Sequence, residues 1–348
     1  MKKSFVFFAM FLFGFAPKPH AQSLYVNSST GSDDAVGTRE HPLKSLYQAV
    51  KAAKDFKGTM PVTIRMEPGL YVLTNLIKIE AGPGQPDTAM FNFEAAVMPD
   101  DSAWKPSATP VIQSVSADNI TTYFTHCAGF DVLRNNVSFK GLKFLGNANP
   151  TVEYYYPIER DSAKLKNVVV SQCYFVGEKN SAPIQGAVYM EGADGVHVDH
   201  CVFYGCKNAL LLFFSASNFS LTHSVIYGCY EAGVWYGIKT EPDAAFTFNN
   251  NVFSHCNYFW ASAKGGDHPL YRFNNSLISG NTNYLGIHND GRLSLLKEKG
   301  THTENGIRKT GEVILVHTTA DGTPRDYLQL APNSAGSDID AGIFMRHK

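Results

Sequence analysis

The chain has 348 residues, of which 44% are hydrophobic and 18% are charged, and its formal net charge at pH 7 is −1. This length and hydrophobic content allow one large domain or two modest ones with a substantial core. The low, balanced charge excludes the basic surface of a nucleic-acid-binding protein and gives no attraction to an anionic membrane.

The N-terminus has the pattern of an export signal. Lys2 and Lys3 precede an apolar run of twelve residues, Phe5–Ala16. That run is too short to span a bilayer and has the length of a signal-peptide core. We therefore predict that residues 1–21 are a signal peptide cleaved after Ala21, and that the protein is periplasmic or extracellular. No later segment is apolar for long enough to predict a membrane span.

The first predicted element of the mature chain is a capping helix. The segment Pro42–Lys54 carries Leu43, Leu46 and Val50 at helical spacing, which gives an amphipathic helix. Such a helix can cover the open end of a stack of strands, where apolar surface and strand edges are otherwise exposed. We predict an N-terminal cap over residues 24–80.

An internal repeat dominates the rest of the sequence. Six eleven-residue segments align without gaps, at intervals of 31, 28, 23, 27 and 25 residues. The first and third columns are apolar and the second is mostly polar, which predicts a strand with alternating inward and outward side chains. Turn-forming residues fill the next two columns, and an always-apolar column follows them. The aligned segments are Val137–Asn147, Val168–Glu178, Val196–Cys206, Phe219–Cys229, Phe246–Cys256 and Tyr271–Asn281.

A third short apolar segment follows most copies of the repeat, for example GAVYMEG and AGVWYGI. Three short strands in each repeat of roughly 25 residues, stacked in register, predict an all-β fold, the single-stranded right-handed parallel β-helix. We predict one domain over residues 22–348, with recognisable coils at about 129–285 and closing turns at 286–348. Asn250 above Asn275 is predicted to form a short amide ladder.

The cysteines fall into columns of the same repeat. Cys173 shares one column with Cys201, and Cys206 shares another with Cys229 and Cys256. Stacked thiols behave as small buried apolar groups, so we predict unpaired cysteines. A Cys206–Cys229 or Cys229–Cys256 disulfide remains the alternative in an exported protein.

The stretch Val196–Cys206 also contains two histidines and an aspartate, which are usual zinc ligands. The alignment gives this mixture another explanation, because His200 falls in a turn column with His223 and Asn250, and His197 faces outward. We therefore predict no metal ligands and no cofactor.

The two ends of the mature chain resemble secreted right-handed β-helix proteins of carbohydrate-active families, both polysaccharide lyases and glycoside hydrolases. The opening segment Leu24–Lys54 matches their Tyr-Val strand, Gly-Ser-Asp turn and capping helix, and Met66–Tyr71 matches the next turn. The segment Tyr327–Gly342 is similar to their last turn, although Ala335 stands where Pro is usual. The resemblance implies a glycan substrate held in a groove along one sheet.

The longest excursion between aligned segments is Ala148–Asn167. Tyrosine offers a flat apolar face and a hydroxyl to a sugar. The excursion supplies candidate substrate ligands and candidate catalytic carboxylates. The alternative is that its aromatic side chains only pack against the flank of the β-helix. The ligands are Tyr154, Tyr155 and Arg160, and the carboxylates are Glu159 and Asp161.

Further candidates lie on or just after the third strands, where neighbouring coils are expected to project side chains into one groove. The candidate catalytic residues are Glu191, Lys239, Lys264, Asp267 and His268, and the candidate substrate ligands are Tyr236 and Trp260. For each of them a solvated turn residue is the alternative.

Two chemistries fit these candidates. A glycoside hydrolase needs two carboxylates, about 5–5.5 Å apart for retention and 6.5–9.5 Å for inversion, and Glu191 can pair with Glu159, Asp161 or Asp267. A polysaccharide lyase needs a base such as Lys239, Lys264 or His268 and a cation such as Arg160. Calcium is a candidate cofactor only in this alternative.

We predict an exported, monomeric enzyme that cleaves a polysaccharide, with hydrolysis favoured over β-elimination because the neutral chain offers no attraction to a polyanion. A non-catalytic glycan-binding or surface structural protein is the alternative from another class.

Overall fold

The computed structural model describes residues 22–161, 165–213, 216–237, 245–263, 270–289, 292–295, 302–317 and 324–345. The predicted signal peptide lies outside the described residues. So do four of the candidate catalytic residues, Lys239, Lys264, Asp267 and His268.

The chain begins with a strand, β1 (Gln22–Val26), and a helix, α1 (Leu46–Ala53), and then winds into coils of three strands each. The first four coils contain β2 (Val62–Met66), β3 (Leu70–Leu73) and β4 (Ile77–Ile79); β5 (Phe91–Ala95), β6 (Val111–Ser114) and β7 (Cys127–Val132), with a 3₁₀ helix at Pro106–Ala108; β8 (Val137–Lys140), β9 (Lys143–Leu145) and β10 (Tyr155–Asp161); and β11 (Lys166–Ser171), β12 (Tyr174–Val176) and β13 (Gly186–Glu191).

The next four coils also have three strands each, and two further strands follow them. They contain β14 (Asp194–Asp199), β15 (Val202–Tyr204) and β16 (Asn208–Phe213); β17 (Ser217–Thr222), β18 (Val225–Tyr227) and β19 (Ala232–Tyr236); β20 (Ala245–Asn249), β21 (Val252–Ser254) and β22 (Tyr258–Ala263); and β23 (Leu270–Asn274), β24 (Leu277–Ser279) and β25 (Asn283–Asn289), followed by β26 (Arg292–Leu295) and β27 (His302–Asn305).

Strands from successive coils pair into three sheets. The first sheet runs β1-β2-β5-β8-β11-β14-β17-β20-β23-β27, the second β3-β6-β9-β12-β15-β18-β21-β24, and the third β4-β7-β10-β13-β16-β19-β22-β25-β26. All of these pairings are parallel except β25 with β26. The predicted parallel β-helix is therefore confirmed. Its coils begin at β2, so that residues 62–79 form a coil rather than part of a cap.

The capping helix α1 is present where the sequence predicts it. The Ser45 side chain accepts a hydrogen bond from the backbone N–H of Gln48, which satisfies one of the free donors at the helix start. The helix buries Leu46, Ala49, Val50 and Ala53 against the apolar interior of the first strands.

Like side chains stack on one another inside the coils because the register is fixed. Phe144, Phe175 and Phe203 are partners on adjacent strands of the second sheet. Their ring centroids are 4.9 Å apart at both steps, with interplanar angles of 7° and 4°. Each ring therefore covers the faces of its neighbours, and the stack forms a continuous apolar core.

The predicted turn columns have a definite backbone conformation. The second turn residue of five successive coils has a positive φ, which favours asparagine and strains most other residues. The φ angles are 53° at Gln172, 48° at His200, 47° at His223, 55° at Asn250 and 47° at Asn275.

The predicted amide ladder lies one column from where the sequence placed it. Asn274 donates from Nδ2 to Oδ1 of Asn249 over 2.7 Å, whereas Asn250 donates to Nε2 of His223 over 2.9 Å. The prediction for Asn250 above Asn275 was therefore wrong, because the residue before the left-handed position carries the ladder.

All six cysteines are free thiols in the buried interior. Burial raises the pKa of Cys206 to about 12, so this thiol is inert at neutral pH. The structure contains neither the Cys206–Cys229 nor the Cys229–Cys256 disulfide of the alternative prediction.

The C-terminal segment covers the outer face of the second sheet. Val313, Leu315 and Leu328 belong to an apolar cluster with Val202 and Val225 of that sheet. The hydroxyl of Tyr174 donates to the backbone oxygen of Tyr327 over 2.8 Å. Among the described residues, no helix is long and apolar enough to cross a bilayer.

Truncation of the central aromatic stack tests the interior. We expect Phe203→Ala to lower the free energy of unfolding by about 3–5 kcal/mol, because it removes a ring and leaves a cavity. The control His197→Ala, on the solvent side of the first sheet, is expected to change it by less than about 0.5 kcal/mol. Chemical denaturation measures both, and equal losses would contradict the stacked core.

The free thiols give a second test. Without reductant, a chromogenic thiol reagent is expected to find six thiols in denaturant, and almost none before unfolding because all six are buried. A count of four in denaturant would reveal a disulfide.

Candidate functional site

An outward-facing row of side chains crosses the third sheet. Its residues are register partners on adjacent strands, about 4.8 Å apart from coil to coil. The row is charged at its beginning, aromatic or apolar in the middle, and small at its end. In order it consists of Lys78, Asp131, Glu159, Tyr189, Leu211, Trp235, Ala261 and Gly286.

The middle of this row belongs to a cluster on the outer surface of the sheet, which we call the aromatic platform. It comprises Tyr154, Tyr156, Tyr189, Leu211, Phe213 and Trp235. The rings of Tyr156 and Tyr189 lie 4.6 Å apart, and those of Phe213 and Trp235 lie 6.1 Å apart. Tyr156, Tyr189 and Leu211 are covered, with 4%, 5% and 2% of their surface exposed, whereas Tyr154, Phe213 and Trp235 are partly exposed. The platform is therefore open to a ligand only through these three side chains.

A loop between β6 and β7 forms one wall of the platform. Phe124 stacks on the ring of His126 at 4.3 Å and meets Tyr156 edge to face at 6.3 Å. Tyr123, next to it, is 86% exposed at the tip of the loop. An exposed aromatic beside a packed one can close over a flat ligand.

A buried histidine–carboxylate pair lies beneath the platform. His126 Nε2 is 2.9 Å from Oε1 and 3.0 Å from Oε2 of Glu159, and the two side chains are 1% and 0% exposed. His126 Nδ1 is 3.0 Å from the carbonyl oxygen of Phe124. Because that carbonyl only accepts, Nδ1 carries a proton, and the Nε2 contact shares one further proton between imidazole and carboxylate.

Two other carboxylates flank the platform closer to solvent. Glu191, at the end of β13, is partly exposed and accepts a short hydrogen bond from the hydroxyl of Tyr189. Glu231 accepts a hydrogen bond of 2.7 Å from Asn208 Nδ2 and lies 3.9 Å from Lys207 Nζ.

The platform contains the hydroxyl of Tyr156. Burial raises the pKa of Tyr156, and the negative charges of Glu159, Glu191 and Glu231 raise it further. The Tyr156 hydroxyl therefore stays protonated and can only act as a neutral donor or acceptor.

A cavity of about 420 Å³ adjoins the platform on the side of the later coils. It is lined by Lys207, Glu231, Tyr258 and His288, among others. The His288 ring lies 4.9 Å from that of Trp235, which joins the cavity to the platform.

The structure places only part of the predicted site on this surface. Glu191 and Tyr154 lie on the platform or at its edge. Asp161 is the register partner of Glu191 on the neighbouring strand. Glu159 points to the same side but is covered, so it supports the surface from below.

Three predicted substrate ligands are core residues instead. Tyr155, Tyr236 and Trp260 are 1%, 1% and 3% exposed and belong to the interior cluster. Alternation along the strands turns them inward, so they are excluded from contact with a substrate. The predicted excursion is likewise not a loop, because Tyr155–Asp161 is strand β10.

Arg160 is a further correction. Its side chain is fully buried, and Nη2 donates to the backbone oxygen of Arg134 over 2.6 Å. Burial lowers the pKa of Arg160 to about 10. The guanidinium therefore stabilises the inside of a turn and cannot neutralise a substrate carboxylate.

Several residues of this surface were missed by sequence reasoning. His126, Tyr189 and Glu231 come from three different coils, and His126 precedes the recognisable repeats. The available signals were the aromatic pair Tyr123–Phe124 in a long interval and the outward position of Tyr189 next to Glu191.

Successive coils whose strands stack into three sheets define the molecule as a parallel β-helix. The chain belongs to the right-handed beta helix region family, whose model matches residues 111–291. No curated protein matches the sequence.

Three solved structures are similar to this chain at low sequence identity. The pectin methylesterase from Aspergillus niger is 12% identical over 84% of this chain and 86% of its own, with a TM-score of 0.48. A rhamnogalacturonan lyase is 12% identical over 93% of this chain and 100% of its own, with a TM-score of 0.42. The GH136 lacto-N-biosidase from Eubacterium ramulus is 12% identical over 76% of this chain but only 56% of its own, with a TM-score of 0.43.

The buried pair gives a stability test of the site. We expect Glu159→Ala to lower the free energy of unfolding by about 3–5 kcal/mol, because it removes the carboxylate that Nε2 of the buried His126 contacts. The control Glu94→Ala removes a carboxylate from the first sheet that pairs with the partly exposed Arg65 and Lys140. That change should cost about 1 kcal/mol or less. Denaturant titration measures both, and a loss of about 1 kcal/mol or less for Glu159→Ala would contradict a stabilising pair.

Proposed function

We propose that this protein binds a glycan along the aromatic platform and hydrolyses its glycosidic bonds. The observation that carries the proposal is the placement of Glu191 and Glu231, two accessible carboxylates, beside one run of outward-facing aromatic side chains. The carbohydrate-active resemblance of the two chain ends supports a glycan as the ligand.

The platform has the chemistry of a sugar-binding surface. Tyr and Trp rings present flat apolar faces to the C–H groups of a pyranose. Trp235 and Phe213 are partly exposed, as is Tyr154, over whose ring the Lys207 ammonium lies at 5.9 Å. A bound glycan would contact the platform through these three side chains.

The two carboxylates have the roles that hydrolysis requires. One carboxyl group protonates the leaving oxygen, and the other acts as nucleophile or activates water. Tyr189 orients Glu191 by its hydrogen bond, and Asn208 with Lys207 orients Glu231. Glu159 and His126 act as positioning residues, because they hold Tyr156 and Phe124 from below without reaching the surface.

A non-catalytic glycan-binding protein is the second candidate. It is favoured by one observation: the carboxylates Glu191 and Glu231 are both engaged in hydrogen bonds to side chains of the protein itself. In that case the aromatic platform alone would provide the function.

Activity on a panel of plant and algal polysaccharides tests the proposal. We expect the wild-type protein to release reducing ends, and Glu191→Gln and Glu231→Gln each to lower the rate by about 10²–10⁴-fold. Glu94→Gln, on the first sheet, is the matched control and should keep full activity. Retained binding by the two inactive variants would show that their fold is intact.

Two results would overturn hydrolysis, and a third would overturn the assignment of its residues. Products with unsaturated ends, detected by ultraviolet absorbance, would indicate β-elimination. Binding that Trp235→Ala abolishes, with no product from any glycan, would indicate the non-catalytic alternative. Full activity of both glutamine variants would remove Glu191 and Glu231 from the reaction.

A further inference from the structure

A second cluster of reactive side chains lies away from the third sheet, at the turn between the first and second sheets. Asp199 ends β14, His200 forms the turn after it, and His223 occupies the same turn position one coil later. The repeat that explains His200 as a turn residue therefore also stacks it on a second histidine.

The two imidazoles converge on one carboxylate. Nδ1 of His200 lies 2.8 Å from Oδ2 of Asp199, and Nδ1 of His223 lies 3.0 Å from Oδ1. The rings are stacked with centroids 4.6 Å apart and an interplanar angle of 16°. One nitrogen from each histidine and one carboxylate oxygen all lie within 4.8 Å of one another.

We propose that Asp199, His200 and His223 form a binding site for a divalent transition metal, with Zn²⁺ as the reference ion. Imidazole nitrogen and carboxylate oxygen are the ligands that zinc, copper and nickel accept. Two ligands on one zinc ion with bonds of about 2.0–2.1 Å are separated by roughly 3 Å, as the two N···O contacts already are.

The site is partly covered by protein and open to solvent on one side. His200 is almost fully covered, with 7% of its side chain exposed, whereas Asp199 and His223 are 33% and 28% exposed. The open side can admit the ion and leaves a position for a water molecule.

Neighbouring side chains can support the coordinated state. Asn250 lies 2.9 Å from Nε2 of His223, and its amide can turn to accept a proton there once Nδ1 binds a metal. Such outer contacts fix the ring orientation of a metal-bound histidine. Thr222 also makes a short hydrogen bond to the Asp199 carboxylate, which holds that group in place.

The position suggests what a bound ion would do. It would join two successive coils, one carrying Asp199 and His200 and the other His223. The C-terminal segment docks at the same turn column, where Gly342 N–H donates to the His223 carbonyl over 2.9 Å. The site is therefore a clamp between coils and tail, independent of the proposed glycan reaction on the third sheet.

Calorimetric titration of the chelator-treated, untagged protein with Zn²⁺ tests the site. We expect one equivalent to bind and to raise the midpoint of thermal unfolding, and Co²⁺ to give visible absorption bands on binding there. His223→Asn and His200→Asn should each weaken Zn²⁺ binding by about 10-fold or more, and abolish the thermal shift. These variants preserve the turn, because asparagine occupies the same left-handed position in the neighbouring coils.

The matched control is His197→Ala, which removes an exposed histidine two residues before Asp199 whose Nδ1 contacts Ser220 Oγ instead. It should bind Zn²⁺ as the wild type does. The proposal is overturned if the wild type shows no saturable Zn²⁺ binding, if both asparagine variants bind as tightly as the wild type, or if His197→Ala weakens binding equally.

Discussion

The in-register parallel pairing between coils is the constraint on which the rest of this structure depends. Each strand is hydrogen-bonded in fixed register to the corresponding strand one coil away, so a side chain is fixed above a side chain of the same column. The phenylalanine stack, the left-handed turn column and the outward row of the third sheet are three results of that single rule. A slip of one residue would turn every inward side chain to solvent, and the interior therefore enforces the register of the surface.

Sequence patterning predicted the features that repeat and missed those that do not. The six aligned segments predicted the coils and the turn column, because each column carries one constraint repeatedly. The coils of residues 62–132 lacked that signature and were assigned in part to the cap. Within β10, Tyr155 and Ile158 both face the interior although an odd number of positions separates them, so alternation is interrupted near Pro157. Tyr155 was expected outside because it was assigned to the excursion between aligned segments, which the structure shows to contain strand β10.

The candidate site was harder to predict for a related reason. Glu191 was predicted because it ends a strand that the repeat defines. His126 meets Glu159 across 33 residues, from a loop outside the aligned segments. The pairing of His200 with His223 was in principle visible, since both occupy one column of the alignment. The column was interpreted as structural, and the sequence analysis predicted no metal ligands there for that reason.

The outward row of the third sheet affects how the binding specificity of related proteins can diverge. Each of its positions comes from a different coil and is flanked along the chain by inward residues that the core constrains, as Tyr189 is by Val188 and Met190. A substitution in the row alters one contact along a bound chain without disturbing its neighbours in sequence. Specificity on such a surface can change one position at a time, while the interior beneath it remains the same.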